Sequence, residues 1–206
     1  MRQKGIKNLL IDFGGVLIDL DRQRCIDNFK KLGFDNVEDL LNIYHQQGLF
    51  MQHEQGLITS SQFRDGVREM MGKNVSDEVI DAAWNSFLVG IPESKLKLLL
   101  RLREKYVVYL LSNTNEIHWK WSCENVFKYR AFRVEDFFEK MYLSYEMKMI
   151  KPEPEIFTTI LKDAGIEAGE TFFIDDSDAN CKTAQQLGIS TYTPKAGEDW
   201  SHLFNE

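Results

Sequence analysis

The sequence predicts an α/β fold: a Rossmann-like, doubly wound parallel sheet with an all-helical insertion after its first strand. Three observations predict it. From about residue 92 onward, short apolar runs alternate with amphipathic stretches, the pattern of βαβ units joined by right-handed crossovers. One more apolar run, "IKNLLIDF", stands alone near the start. Between the two lie roughly 70 residues with helical periodicity and no convincing strand pattern. The boundaries that follow are 1–18 with 92–206 for the core, and 19–91 for the insertion.

"IKNLLIDF" has the short, continuous apolar run of a strand buried on both faces. Within the insertion, "RQRCIDNFKKLG" closes on Gly33 and "VEDLLNIYHQQG" on Gly48. "SSQFRDGVREMMG" starts from Thr59 or Ser60 and stops at Gly72, and "DEVIDAAWNSFLVG" starts from Ser76. A hydroxyl at the N-cap accepts from a free amide of the first turn, and a glycine past the end adopts the left-handed conformation that closes the last. After "GIPES" come the helix "ESKLKLLLRLREK", the β-branched and aromatic strand "YVVYLLS", a helix and the strand "KMYLS". The helix "PEIFTTILKDAG", strand "TFFIDD", helix "NCKTAQQLG" and strand "STYT" complete the alternation.

Bulk composition bounds the partners. Hydrophobic residues make up 43% of the 206 and charged residues 28%, enough for a sizeable core without structural metal or disulfides. Acids outnumber bases 32 to 25 for a formal charge of -7, and no basic cluster interrupts that balance, which argues against nucleic acid or an anionic membrane. Cys25, Cys123 and Cys181 have no paired spacing, as expected of reduced thiols. The basic and then apolar N-terminus imitates a secretion signal, but Asp12 interrupts it and no small-residue cleavage site follows. No apolar stretch approaches the ~18 residues of a membrane span. The expectation is a cytoplasmic protein acting on a small molecule.

In an open parallel sheet, ligands bind beyond the carboxyl ends of the strands. The first strand ends in Asp12, "YVVYLLS" in Ser112, Asn113 and Thr114, and "TFFIDD" in Asp175 and Asp176, while Lys151 precedes Pro152 at a helix start. Singly, each also fits a turn, a cap or a helix dipole; together they converge on one crevice. Their order and spacing, with the motifs "DFGGVL", "LLSNTN", "MIKPEPEIF" and "FFIDDSDAN", resemble the four motifs of the haloacid dehalogenase-like hydrolase superfamily. The resemblance covers the whole chain, and the insertion looks like that superfamily's helical cap. Bacterial glucose-1-phosphate phosphatases and the N-terminal phosphatase domain of soluble epoxide hydrolase are similar, the former also in the stretch "MQHEQGLIT".

A phosphate monoester is a dianion, so a site that attacks it with a carboxylate must neutralise charge. The expected assignments are Asp12 as nucleophile and Mg²⁺ as the cation between carboxylate and phosphate. Oxygen donors would come from Asp12, the carbonyl of Gly14 and Asp176. The resemblance favours Asp176 over Asp175 as the direct ligand, with Asp175 acting through water. Lys151 offers a mobile positive charge, Ser112 a hydroxyl, and the amide of Asn113 an anion site at a helix start. Asn180 is expected to orient Lys151 or a metal-bound water.

One position departs from the family pattern. Most phosphatases of the superfamily carry a second Asp two residues after the nucleophile, as the acid for the leaving alcohol and the base for water. Here that position is Gly14. Three explanations stand. The acid comes from elsewhere, with Asp19, Asp21, His53 and Glu54 as candidates. The leaving group is good, as in a sugar 1-phosphate. Or the protein binds phosphate esters without turning them over. A 2-haloacid dehalogenase also lacks the second Asp but uses no metal, which would leave Asp175 and Asp176 as an uncompensated pair. Substrate choice is expected to lie in the cap, where "NIYHQQGLFMQHEQG" offers Tyr44, Phe50, amides, His53 and Glu54 to a sugar phosphate. "NEIHWKW" reads as core packing by Trp119 and its neighbours.

Overall fold

A computed structural model of the protein describes residues 5–41, 48–195 and 197–204. In chain order the elements begin with β1 (Asn8–Ile11), β2 (Asp19–Leu20), α1 (Arg22–Leu32), α2 (Val37–Leu40), α3 (Leu49–Glu54), α4 (Ser60–Met71), α5 (Asp77–Asn85) and β3 (Leu88–Gly90). They continue with α6 (Glu93–Arg103), β4 (Val107–Ser112), α7 (Glu116–Asn125), α8 (Val134–Phe137), β5 (Lys140–Leu143), α9 (Ser144–Met147), α10 (Pro154–Ala164), β6 (Thr171–Ile174), α11 (Asp178–Gln186) and β7 (Ser190–Tyr192).

β5, β4, β1, β6 and β7 lie side by side in that order, and every neighbouring pair is parallel. Alternation along the strands splits the interior in two. Leu9, Ile11, Val108, Leu110, Phe172 and Ile174 face α6, α7 and Trp200. Leu10, Tyr109, Leu111 and Phe173 face α10 and α11. Strands apolar on both faces need helices on both, which is why the βαβ pattern was readable. The chain steps outward from β1 through β4 to β5, then crosses back to β6 and β7. The order therefore reverses at β1 and β6, and the crevice opens beyond their carboxyl ends.

The insertion has an apolar cluster of its own. Phe29 of α1, Phe50 of α3, Phe63 of α4 and Trp84 of α5 are its fully buried aromatic centre, joined by Ile117 of α7. Thr59 caps α4 in a full capping box with Gln62, and Gly33, Gly72 and Gly165 end α1, α4 and α10 in the left-handed conformation, as their sequences predict.

Two expectations are corrected. The helix predicted to run through "SFLVG" stops at Asn85, and Leu88–Gly90 pairs antiparallel with Asp19–Leu20. Trp84, Phe87 and Leu88 extend the apolar pattern in a way that fits either period. The helix predicted to close on Gly48 is α2, ending at Leu40; Asn42–Gln47, and with them Tyr44, lie outside the described residues. α3, only six residues long, is too short to show a period of its own. No described helix is long and apolar enough to cross a membrane.

Candidate active site

Ile11 of β1 pairs with Leu110 on one side and Ile174 on the other, so the next residue, Asp12, leaves the sheet level with Leu111 and Asp175. Its amide donates to Ile174 O at 2.9 Å, and its side chain stays buried. The chain then turns tightly: the amides of Leu17 and Ile18 both donate to Phe13 O at 2.9 Å. Gly15 has a φ of 70°, and a Cβ there would collide with the Asp176 carboxylate. The glycine is needed because the turn backbone and the second acidic strand end touch.

Lys151 joins the strand ends. Its Nζ donates to Asp12 Oδ1 at 2.6 Å, Asp175 Oδ2 at 2.6 Å and Leu111 O at 3.1 Å, so all three N–H groups are used. With 3% of its surface exposed, this lysine is a fixed strut rather than the mobile charge its sequence position implied. Burial works against its charge, but Asp12 and Asp175 outweigh burial and hold it above the usual lysine range. Burial also raises Asp12; Lys151 opposes that rise, while Asp175 and Asp176 add to it.

The partners of Asn180 and Asn113 differ from expectation. Asn180 Nδ2 donates to both oxygens of Asp175, at 2.9 and 3.0 Å, rather than orienting Lys151. Asp175 Oδ1 also accepts from the Ser177 amide at 2.8 Å. Asp175 is thus fully buried and its lone pairs are taken, while Asp176 beside it is exposed. Asn113 clasps the backbone of Lys151: its Nδ2 donates to Lys151 O and its Oδ1 accepts from Lys151 N, both at 2.9 Å. The Asn113 amide is not at a helix start, because α7 begins at Glu116 with Asn115 as its cap. Ser112 ends β4, is 1% exposed and lines the cavity described below.

Oxygens of Asp12, Asp175 and Asp176 all lie within 4.8 Å of one another. Three carboxylates against one ammonium leave two negative charges, which one divalent cation cancels. Partial desolvation of its carboxyl and the neighbouring Asp175 push Asp176 upward, against the pull of Lys151, as expected where like charges crowd. An all-oxygen donor set of this kind suits a hard cation such as Mg²⁺.

Above the strand ends is a cavity of about 600 Å³. Gly14, Ser112, Asn113, Lys151 and Asp176 line its core wall, and Leu20, Met51, Glu54, Phe87 and Leu88 the wall formed by the insertion and its stems. Glu54, the last residue of α3, is the one acidic candidate from the insertion that reaches it. The other three are elsewhere. His53 is 2% exposed, stacks on Phe63 at 4.4 Å and meets Ser60 Oγ at 3.2 Å, and burial pushes it down to about 4. Asp19 faces Lys95 at 3.7 Å, and Asp21 caps α1 by accepting from the Arg24 amide. Phe50 is wholly inside the apolar cluster of the insertion. Sequence reasoning missed Ser144. Its hydroxyl accepts from the Thr114 amide at 2.9 Å and lies 2.6 Å from Glu54 O and 2.9 Å from Thr114 O, joining the end of β4 to the end of α3.

The family model of haloacid dehalogenase-like hydrolases matches residues 6–188. A D-ribitol-5-phosphate phosphatase of Bacteroides thetaiotaomicron is 38% identical over 195 residues, spanning 95% of each chain. A HAD-family enzyme of the same organism, solved in complex with magnesium and inorganic phosphate, is 72% identical at a TM-score of 0.94, covering 97% of this chain and all of that one. Its Asp12→Ala mutant, solved with the same two ligands, superposes at 0.96 over 98% of this chain and 100% of that one. An L-2-haloacid dehalogenase of Xanthobacter autotrophicus, 18% identical at 0.63 over 97% of this chain and 81% of its own, shares the fold.

Proposed function

We propose that the chain, which belongs to the haloacid dehalogenase-like hydrolases and is a magnesium-dependent phosphatase of that family, cleaves the monophosphate of a small sugar or sugar alcohol through an aspartyl-phosphate on Asp12. The observation that carries this reading is the strut of Lys151 between Asp12 and Asp175, at 2.6 Å to each, beneath a closed cluster of three carboxylates. A nucleophile must be held in line and kept ionised beside a dianion. Lys151 does the first by hydrogen bonding and helps the second by its charge.

In this reading Asp12, Asp176 and the Gly14 carbonyl hold Mg²⁺, which supplies charge neutralisation between carboxylate and phosphate. Asp175, saturated by Lys151, Asn180 and Ser177, orients the strut and reaches the cation through water. Ser112 and Asn113 line the phosphate end of the cavity. Residues 19–91 serve as the cap that selects the rest of the substrate, over a core of 1–18 and 92–206. The cap wall offers no basic side chain among the described lining residues, which favours a single phosphate on an uncharged body. Ribitol 5-phosphate, the substrate in the name of the relative, has that form. A cytoplasmic location goes with this reading, in which Cys25, Cys123 and Cys181 are all unpaired.

The test is phosphate release from ribitol 5-phosphate, hexose 1- and 6-phosphates and p-nitrophenyl phosphate, with Mg²⁺ and with chelator. Release is expected only with Mg²⁺, and Asp12→Asn is expected to lower it by about 10⁴-fold or more. Release that persists in Asp12→Asn, or none from any ester in the native protein, would sink the reading.

A further inference from the structure

A 5-phosphate leaves as an ordinary alcohol, so a site that turns it over needs an acid, and Gly14 cannot be one. We infer that the Glu54 carboxyl, carried by the cap, protonates the leaving oxygen and then deprotonates the attacking water. The inference rests on the phosphatase reading above and deepens it.

Geometry carries it. In-line displacement puts the leaving group on the side of phosphorus away from the nucleophile. Asp12 lies at the core end, so the leaving oxygen faces the cap wall, where Glu54 is the acid among the described lining residues. The position of Glu54 is also fixed. Its carbonyl accepts from Ser144 Oγ at 2.6 Å, and that hydroxyl in turn accepts from Thr114 N at 2.9 Å, two residues past Ser112. Two residues on, Gly56 has a φ of 65°, and a Cβ there would overlap the carbonyl of Tyr145. The cap backbone therefore touches the core at this corner, and α3 ends there.

The carboxyl itself has no assigned work. Among the described residues it makes no hydrogen bond and no ion pair, unlike Asp12, Asp175 or Glu116. The titratable groups around it are His53 on α3, Tyr145 on α9, and Lys151, Asp176 and His118 across the cavity. None of them shifts it; burial alone pushes it up to about 7, where a carboxyl is a competent proton donor near neutral pH.

The steps balance. Asp12 attacks phosphorus, the bond from phosphorus to the ester oxygen breaks, and the electron pair leaves on that oxygen. The oxygen takes the Glu54 proton, giving the free alcohol and a Glu54 carboxylate. Water enters where the alcohol left and gives one proton to Glu54 as its oxygen bonds to phosphorus. The bond to Asp12 breaks, returning its carboxylate and releasing inorganic phosphate. One residue serves both steps because both partners use the same face.

The experiment is stopped-flow and steady-state kinetics of Glu54→Gln and Glu54→Asp with Mg²⁺, on ribitol 5-phosphate and p-nitrophenyl phosphate. Nitrophenolate needs no proton to leave. Glu54→Gln is therefore expected to give a one-equivalent burst of nitrophenol near the native rate, followed by turnover about 10²–10⁴-fold slower. With ribitol 5-phosphate it should give no burst. In the native protein, turnover of the alkyl ester should fall as pH rises past about 7, a limb that Glu54→Gln removes. Glu54→Asp should restore part of the rate. Native steady-state turnover of the aryl ester in Glu54→Gln would overturn the inference, as would loss of the burst itself. A native protein that releases phosphate from neither ester would overturn the phosphatase reading instead.

Discussion

The two walls of the cavity hold their carboxyls in opposite ways. On the core wall, burial raises Asp12 and a full set of partners answers it: Lys151 at 2.6 Å, and Asp175 bound through the same lysine. On the cap wall, burial raises Glu54 and no group among the described residues answers it. Lys151 opposes the rise that burial, Asp175 and Asp176 impose on Asp12, and a divalent cation would add to that opposition. An unpaired carboxyl in an apolar wall keeps its proton until something basic arrives. In the proposed mechanism the difference divides the labour of a hydrolysis between a rigid sheet edge that attacks and an inserted element that exchanges protons.

The most damaging way to break this contrast is to remove the pairing from the core. Lys151→Met leaves Asp12 and Asp175 buried side by side without their shared cation. Breaking one partner out of a buried ion pair costs about 3–5 kcal/mol, because the remaining charges stay desolvated. Chemical denaturation without metal should show a loss of that size, and saturating Mg²⁺ should return part of it. A variant as stable as the native protein without metal would mean that Lys151 does not carry the core wall.

The cap side breaks at Gly56. With its left-handed backbone and its Cα against the Tyr145 carbonyl, Gly56→Ala must move the α3–α4 corner away from α9. A displacement of about 1 Å at a reacting group costs up to about 10²-fold in rate. The loss should fall on turnover of ribitol 5-phosphate, while Mg²⁺ affinity and the rate at which p-nitrophenyl phosphate first releases nitrophenol stay near native. Equal loss of Mg²⁺ binding would show that the two walls do not act separately.

The same contrast explains what was legible in the sequence. The core wall was readable because each functional group ends an apolar run: Asp12 after β1, Ser112 on β4, Asp175 and Asp176 after β6. A parallel sheet brings strand ends together whatever its crossovers contain. The pairings inside that wall were not readable. Asn180 on Asp175 and Asn113 on the Lys151 backbone depend on side-chain directions that spacing does not encode. Nor was it readable which cap acid faces in. His53 and Glu54 are neighbours, yet one turns to Phe63 and the other lines the cavity, and the end of α3 is fixed by Ser144, 90 residues away in sequence. A backbone carbonyl as acceptor leaves no residue-type signal at Glu54. β2 and β3, of two and three residues, are below the length at which a period can be seen.

The smallest expected effect separates the walls by the sign of their response to acid. His118 joins α7 to the cap: it stacks on Trp84 at 4.2 Å and meets Trp84 O at 3.1 Å. Burial pushes it down to about 3 from an ordinary 6.5, so the folded protein keeps it neutral where the unfolded chain protonates it. Below pH 6.5 the unfolded state therefore binds more protons, and stability falls as pH falls, by about 2 kcal/mol at pH 5 from this group. Asp12 acts the other way when metal is absent: its raised folded value means that the folded state binds more protons above the ordinary 3.8, so acid relieves the core wall. His118→Gln keeps a side-chain donor for Trp84 O and has nothing to titrate. Its stability should change less between pH 6.5 and pH 5 than that of the native protein, by about 1.6 kcal/mol. Amide exchange at pH 5 in the native protein should accelerate in α5 and α7 before β1 and β6. Exchange that rises first at the strands would mean that the core wall, with its unneutralised carboxylates, is the acid-labile side.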